Sequence, residues 1–233
     1  MSSLDVRRPV DRWLVFFAFI LMVIGMIWVY SASSFRGATA TTFLVRQMVA
    51  GLLGLGIMMV LSQLELRKLR ENPKVLQVAY GVLLVALVAV FFFPPRNGAH
   101  RWIVVAGWQL QPSELLKPLL VMVTAWWMVR HQEVWNRKEE AIPKLVTLLG
   151  ILAVPLALVL REPDFGTTFL ILFVCMLVVF LGGAPRWIFA VLVPTLVAVG
   201  VAFVVSKPYR LSRVTSFLNP EADPRGKGYN VLQ

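Results

Sequence analysis

Residues 145–184 read LVTLLGILAVPLALVLREPDFGTTFLILFVCMLVVFLGGA, two apolar runs of about 16 residues parted only by Arg161-Glu162-Pro163-Asp164-Phe165-Gly166. A lone membrane-spanning helix takes about 20 apolar residues. Two shorter runs therefore suit helices packed inside a bundle. Pro163 and Gly166 are helix breakers, so the spacing predicts two helices joined by a tight polar interruption. Such an interruption exposes backbone groups, which a bilayer tolerates only where protein or a watery cavity receives them. Asp164 is placed to cap the second helix.

Five more runs surround this pair, at residues 13–31, 43–62, 75–95, 113–130 and 187–205. Composition agrees with seven spans: of 233 residues, 58% are hydrophobic and 15% charged, against about 25% charged in a soluble domain. This excludes a disordered chain and argues against an ordinary soluble enzyme. The single cysteine, Cys175, excludes an internal disulfide and a cysteine-based metal site. The first run follows Arg7, Arg8 and Arg12 and precedes Ser31-Ala32-Ser33, as a signal peptide would. It is longer than the about 7–15 apolar residues of a signal core, so an uncleaved anchor is expected.

The net charge of +11 would suggest nucleic acid in a soluble protein. Here basic residues collect in loops beside spans, and no Lys/Arg run alternates with base-stacking aromatics, so nucleic acid is not expected. With the N-terminus in the cytoplasm, Arg7, Arg8 and Arg12, the 67–74 and 130–144 connections and Arg186 all fall inside. The short outer loops then keep Arg36, Arg96 and Arg101. The expected fold is an all-α polytopic membrane protein of about seven transmembrane helices, N-terminus cytoplasmic. It forms one membrane domain over 1–233, with 206–233 beginning a large extracytoplasmic loop. Residues 131–144 read as a solvated cytoplasmic linker. Gln233 closes a polar segment with no further helix, as expected of a piece of a longer chain.

Ionisable residues at membrane depth carry the functional signal, because each costs about 2.5–3.5 kcal/mol at mid-bilayer on insertion scales. Arg46, Glu114, Lys117, Arg161, Glu162 and Asp164 qualify, and the topology puts all six toward the outer face. In Gln111-Pro112-Ser113-Glu114-Leu115-Leu116-Lys117, Pro112 suits the first helical turn, and Glu114 there is favoured by the helix dipole. Glu114 and Lys117 share a helix face. Lys117 lies a full turn inside, so its ammonium needs a carboxylate, for which Asp164 is the expected partner. The plain alternatives are a snorkelling Lys117 or Arg46, and a bare N-cap at Asp164. His100, in the loop Asn97-Gly98-Ala99-His100-Arg101-Trp102-Ile103, reads as exposed and without metal-ligand spacing; Arg101-Trp102 read as interfacial anchors. In the 206–233 segment, Arg210 and Arg213 share a helical face that suits phosphate contacts, or a basic strip against anionic lipid heads. A polar cavity with a cationic rim suits a lipid with a phosphate head, held by an enzyme or by a transporter.

Taken together these stretches resemble the SEDS family of bacterial membrane proteins (FtsW, RodA and SpoVE-like). The matching pieces are Val29-Tyr30-Ser31-Ala32-Ser33, Arg46-Gln47, Asn97 through Ile103, Gln111-Pro112-Ser113-Glu114 with Lys117, Pro163-Asp164-Phe165-Gly166-Thr167, and Tyr209 through Asn230. They occur in family order along the whole chain. The resemblance implies a ten-helix bundle, of which seven helices are present, in the bacterial cytoplasmic (inner) membrane. It implies a peptidoglycan glycosyltransferase that polymerises lipid II into glycan strands on the outer face, with loss of undecaprenyl diphosphate. It implies a class B penicillin-binding protein as partner, beside membrane lipids. In the family the residues matching Lys117 and Asp164 face each other in a central cavity, and those matching Arg46, Arg101 and Glu114 matter for function.

The presumed catalytic aspartate of the family falls in sequence beyond Gln233, so no catalytic base is assigned here, and this chain alone is expected to be inactive. Glu162 stands where many relatives carry glutamine, adding a negative charge beside Asp164. Cationic groups would stabilise the departing diphosphate, with no cofactor fixed by the residues and a divalent cation such as Mg or Mn as the one candidate; no protein metal site is read from the residues. Two other functions remain open: a lipid II flippase, which would need polar access to the inner half as well, and a scaffold recruiting the penicillin-binding protein. Elongation and division members are not separated.

Overall fold

A computed structural model describes residues 11–33, 39–63, 65–96, 98–105, 108–135 and 137–206. The chain divides into two compact units, Met1–Pro73 and Lys74–Gln233.

The first unit holds α1 (Arg12–Ser33), α2 (Thr39–Ser62) and the short α3 (Leu66–Glu71). Asp11 starts α1, its Oδ1 accepting from the Trp13 N–H at 2.9 Å. The two long helices lie close at Gly51, where a Cβ would come within 2.6 Å of the Met22 sulfur. Apolar side chains cover α1 all round, with Trp13, Leu21 and Trp28 exposed, as a lipid-facing helix requires. A groove of about 430 Å3 lined by Phe16, Phe19, Leu55 and Met59 is apolar.

The second unit runs α4 (Lys74–Ala89), a hairpin of β1 (Ile103–Val105) and β2 (Trp108–Leu110), then α5 (Pro112–Arg130), α6 (Lys138–Arg161), α7 (Phe165–Leu181) and α8 (Arg186–Val205). Its core is a stack of Leu87, Leu116, Leu120, Leu148, Leu152, Ile171, Cys175 and Val179, all buried. Pro155 lies inside α6 and cannot donate to the carbonyl of Ile151. The Tyr80 hydroxyl on α4 donates to that carbonyl at 2.7 Å, satisfying it away from water. Pro112 opens α5 at its first turn, as read from the sequence.

By length and composition, Arg12–Ser33, Thr41–Ser62, Lys74–Phe92 and Glu139–Arg161 can each cross a membrane, and Phe165–Leu181 and Arg186–Ala202 are shorter apolar helices. With α5 these account for the seven runs expected.

Three expectations need correction. The 131–144 segment is no solvated linker: residues from Lys138 onward belong to α6, and Trp135 is buried with its indole N–H on Met128 O. Glu139 and Glu140 in the first turn of α6 favour this earlier start through the helix dipole. Gly166 breaks nothing, since α7 begins at Phe165 and the interruption is confined to residues 162–164. The loop before α5 is not wholly irregular, because Ile103 pairs with Leu110 and Val105 with Trp108 in an antiparallel ladder.

Candidate functional site

One end of the second unit gathers the hairpin, the start of α5, the end of α6 and the start of α7. Asp164 is its hub. The carboxylate Oδ1 accepts from the Thr167 N–H at 3.2 Å, capping α7, and the Thr168 hydroxyl donates to the Asp164 carbonyl at 2.8 Å. The other oxygen, Oδ2, lies 3.3 Å from Gln111 Nε2 and 3.7 Å from Arg101 Nη1.

Arg101 is fixed by the same turn. Its Nε donates to the Glu162 carbonyl at 2.8 Å and its Nη2 to the Pro163 carbonyl. These contacts flank Pro163, whose φ of 28° lies far from the about −65° a proline ring prefers. A guanidinium has five N–H donors in a rigid fork, so part of it stays available to an anion. Beside it, Arg161 lies over the Phe91 ring at 5.8 Å, a cation–π contact.

Lys117 and Glu114, which share a helix face, are paired, Nζ to Oε1 at 2.7 Å. Here the expected Lys117–Asp164 pairing is corrected: Lys117 takes the carboxylate one turn away, and Asp164 takes Arg101 and Gln111. The reason is local, because an i,i+3 partner costs little chain entropy while the hairpin delivers Arg101 straight onto the turn. His100 is also corrected from exposed to part-buried, with Nδ1 2.8 Å from the Phe93 carbonyl. Arg101 clamps the turn and is no free anchor.

Glu162 departs furthest from expectation. It is 0% exposed, and neither carboxylate oxygen has a hydrogen-bond partner. Burial first, and the nearby Asp164 second, push its pKa up to about 8, with Arg101 opposing. The burial thus opposes the extra negative charge that Glu162 brings to the sequence. Among the described residues no three His, Cys, Asp or Glu converge. Asp164 is engaged on both oxygens and Glu162 is sealed, so these residues do not fit a divalent cation by themselves.

Of the residues singled out by sequence, the structure pairs Arg101 with Asp164 and, separately, Glu114 with Lys117. Arg46 is exposed near the start of α2 in the first unit. Arg210 and Arg213, with residues 207–233, lie outside the described residues. Gln111 was not singled out. Its signal was available, since glutamine is a poor N-cap and one standing immediately before a helix-opening proline has its side chain free for a distant partner.

Residues 12–233 match the family of cell cycle proteins FtsW, RodA and SpoVE. The chain is 34% identical over 231 residues to a protein of Hydrogenovibrio crunogenus named probable peptidoglycan glycosyltransferase FtsW, covering 97% of this chain and 58% of that one. It is 30% identical to stage V sporulation protein E of Bacillus subtilis, covering 96% of this chain and 61% of that one. Among solved structures, it is similar to a chain of a peptidoglycan synthase complex described as coordinating polymerization and crosslinking. That similarity has a TM-score of 0.68 and 30% identity, over 95% of this chain and 62% of that one. The rod shape determining protein RodA of Thermus thermophilus gives a TM-score of 0.55 at 28% identity, over 76% of this chain and 56% of that one. The chain thus spans about 58% of the length of the relative from Hydrogenovibrio. Its match across nearly all of its length, together with its apolar helices, makes this multi-pass membrane protein a member of the FtsW/RodA/SpoVE family.

Proposed function

We propose that this chain is the N-terminal portion of a peptidoglycan glycosyltransferase of the bacterial cytoplasmic membrane. It polymerises lipid II on the outer face of that membrane during elongation or division, beside a class B penicillin-binding protein. The observation that carries this reading is Arg101, its guanidinium fixed on the 162–164 turn by two backbone carbonyls and Asp164 with part of its fork left over.

In the reaction, the acceptor's 4-hydroxyl attacks the anomeric carbon of the growing strand and the bond to undecaprenyl diphosphate breaks. Negative charge grows on the leaving diphosphate. Arg101 meets it with the donors that the 162–164 turn leaves free, held at fixed angle by two backbone carbonyls. Lys117 supplies a second positive centre, with one of its three N–H donors on Glu114. A site fixed in advance needs no reorganisation as charge develops, and that is where most catalytic gain arises.

Asp164 is not the proton acceptor in this reading: both its oxygens are engaged in holding Arg101, Gln111 and the α7 N-terminus. Glu162 is sealed from any hydroxyl. The base that takes the acceptor's proton is assigned to the part of the family's length outside this chain. A divalent cation, if one takes part, needs ligands from there as well.

The test is polymerisation of labelled lipid II by purified protein. The 1–233 chain is compared with a chimera that continues it with the remaining portion of the Hydrogenovibrio relative. Polymer from the chimera alone is expected. Equal polymer from the 1–233 chain would overturn the assignment of the base, and transport without polymer by the chimera would favour a flippase.

A further inference from the structure

The hairpin is bracketed by two polar residues, Arg101 before β1 and Gln111 after β2, and both reach Asp164 Oδ2. Asp164 cannot yield, because Oδ1 caps α7 and its N–H is bound to the Val159 carbonyl. Gln111 stands at the N-cap position of α5 with φ −106°, yet its side chain makes no cap to its own helix. Its amide has two N–H donors. One goes to Ser113 Oγ at 3.0 Å and the other to Asp164. Ser113 is fully buried, so it fixes the direction of the amide.

We propose that Gln111 is a positioning residue for Arg101: by tying the exit of the hairpin to Asp164 it holds the hairpin's entry, and the guanidinium there, in one orientation. The inference rests on the function proposed above for Arg101 and adds a residue that never touches substrate. The mechanical link is short. Ile103 and Leu110 face each other in the ladder, Leu110 next to Gln111 and Ile103 one residue, Trp102, away from Arg101. Loosening at Gln111 therefore passes to Arg101 across one rung and one residue. With Gln111 gone, Asp164 Oδ2 retains only the longer contact with Arg101, and the hairpin is held at one end instead of two.

The test uses the chimera, with two readouts. By hydrogen exchange, Gln111→Ala is expected to raise exchange in β1 and β2 by about ten-fold while the buried turns of α5 and α7 keep their protection. In polymerisation, Gln111→Ala and Arg101→Ala are expected to lower the same constant, kcat. The double variant should be no slower than Arg101→Ala, and KM for lipid II should be unchanged by Gln111→Ala. An unloosened hairpin, or losses that multiply, would each overturn the inference. A loosened hairpin with Arg101→Ala fully active would instead refute the function assigned to Arg101 and leave the clamp standing.

Discussion

Two short turns join consecutive helices in the second unit, and they are built in opposite ways. Between α7 and α8 the chain satisfies itself. Gly183, at φ 87°, donates to the Phe180 carbonyl and Ala184 to the Val179 carbonyl, so the last carbonyls of α7 are closed by the backbone alone. Between α6 and α7 the turn relies on side chains from far along the sequence. Arg101 takes the carbonyls of Glu162 and Pro163, Gln111 takes Asp164, and an unpartnered acid is sealed beneath. A connection needed only to reverse the chain costs one glycine. A connection that recruits a guanidinium, an amide and two acids carries more polar structure than reversal needs, and that surplus marks the site.

The comparison breaks if charge beside the α6–α7 turn is dispensable. Lys117→Ala in the chimera is expected to slow polymerisation by about 100-fold, the usual loss when one preorganised positive group leaves a developing anion. Normal polymerisation would remove Lys117 from the electrostatic assignment.

It sharpens at Glu162. A carboxyl with a raised pKa binds its proton more tightly in the folded state. Stability is therefore fullest below the ordinary carboxylate range, declines as pH climbs from 4.5 toward about 8, and levels off beyond. Glu162→Gln keeps the shape without the titration. Thermal unfolding of the purified protein in detergent, followed between about pH 5 and pH 9, should lose most of this slope in the variant, on the order of a few kcal/mol. A variant less stable than the parent only at the higher pH values would mean that the acid is ionised beside a cationic partner. The smallest effect belongs to the other turn. Gly183→Ala forces a side chain into the left-handed region at about 1–2 kcal/mol, read as a lower Tm with the polymerisation rate of folded chimera unchanged. A lost rate would put the α7–α8 turn in the machinery too.

Much of this was legible in the sequence because it is local. The apolar runs are continuous in sequence, and the proline opening α5, the shared face of Glu114 and Lys117 and the Asp164 cap depend on spacings of four residues or fewer, which helical geometry fixes. What depends on folding was not. Three-residue strands are too short for alternation to show, so in sequence the hairpin reads as loop. Without the hairpin nothing in the sequence places Arg101 or Gln111 on Asp164, and Lys117 reads as its partner. The burial of Glu162 and of Trp135, and the Tyr80 hydroxyl filling the gap left by Pro155, are likewise contacts between elements. The charge and length that sequence displays say where such residues stand, while the packing decides whether they meet water.

The central claim is that the α6–α7 turn holds Arg101 ready for the leaving diphosphate. It is tested most directly by the lipid II polymerisation rate of the Arg101→Ala chimera, per folded molecule and beside the unaltered chimera. A fall of about 100-fold or more is the expected result. An unaltered rate would contradict the claim and leave the turn a structural clamp.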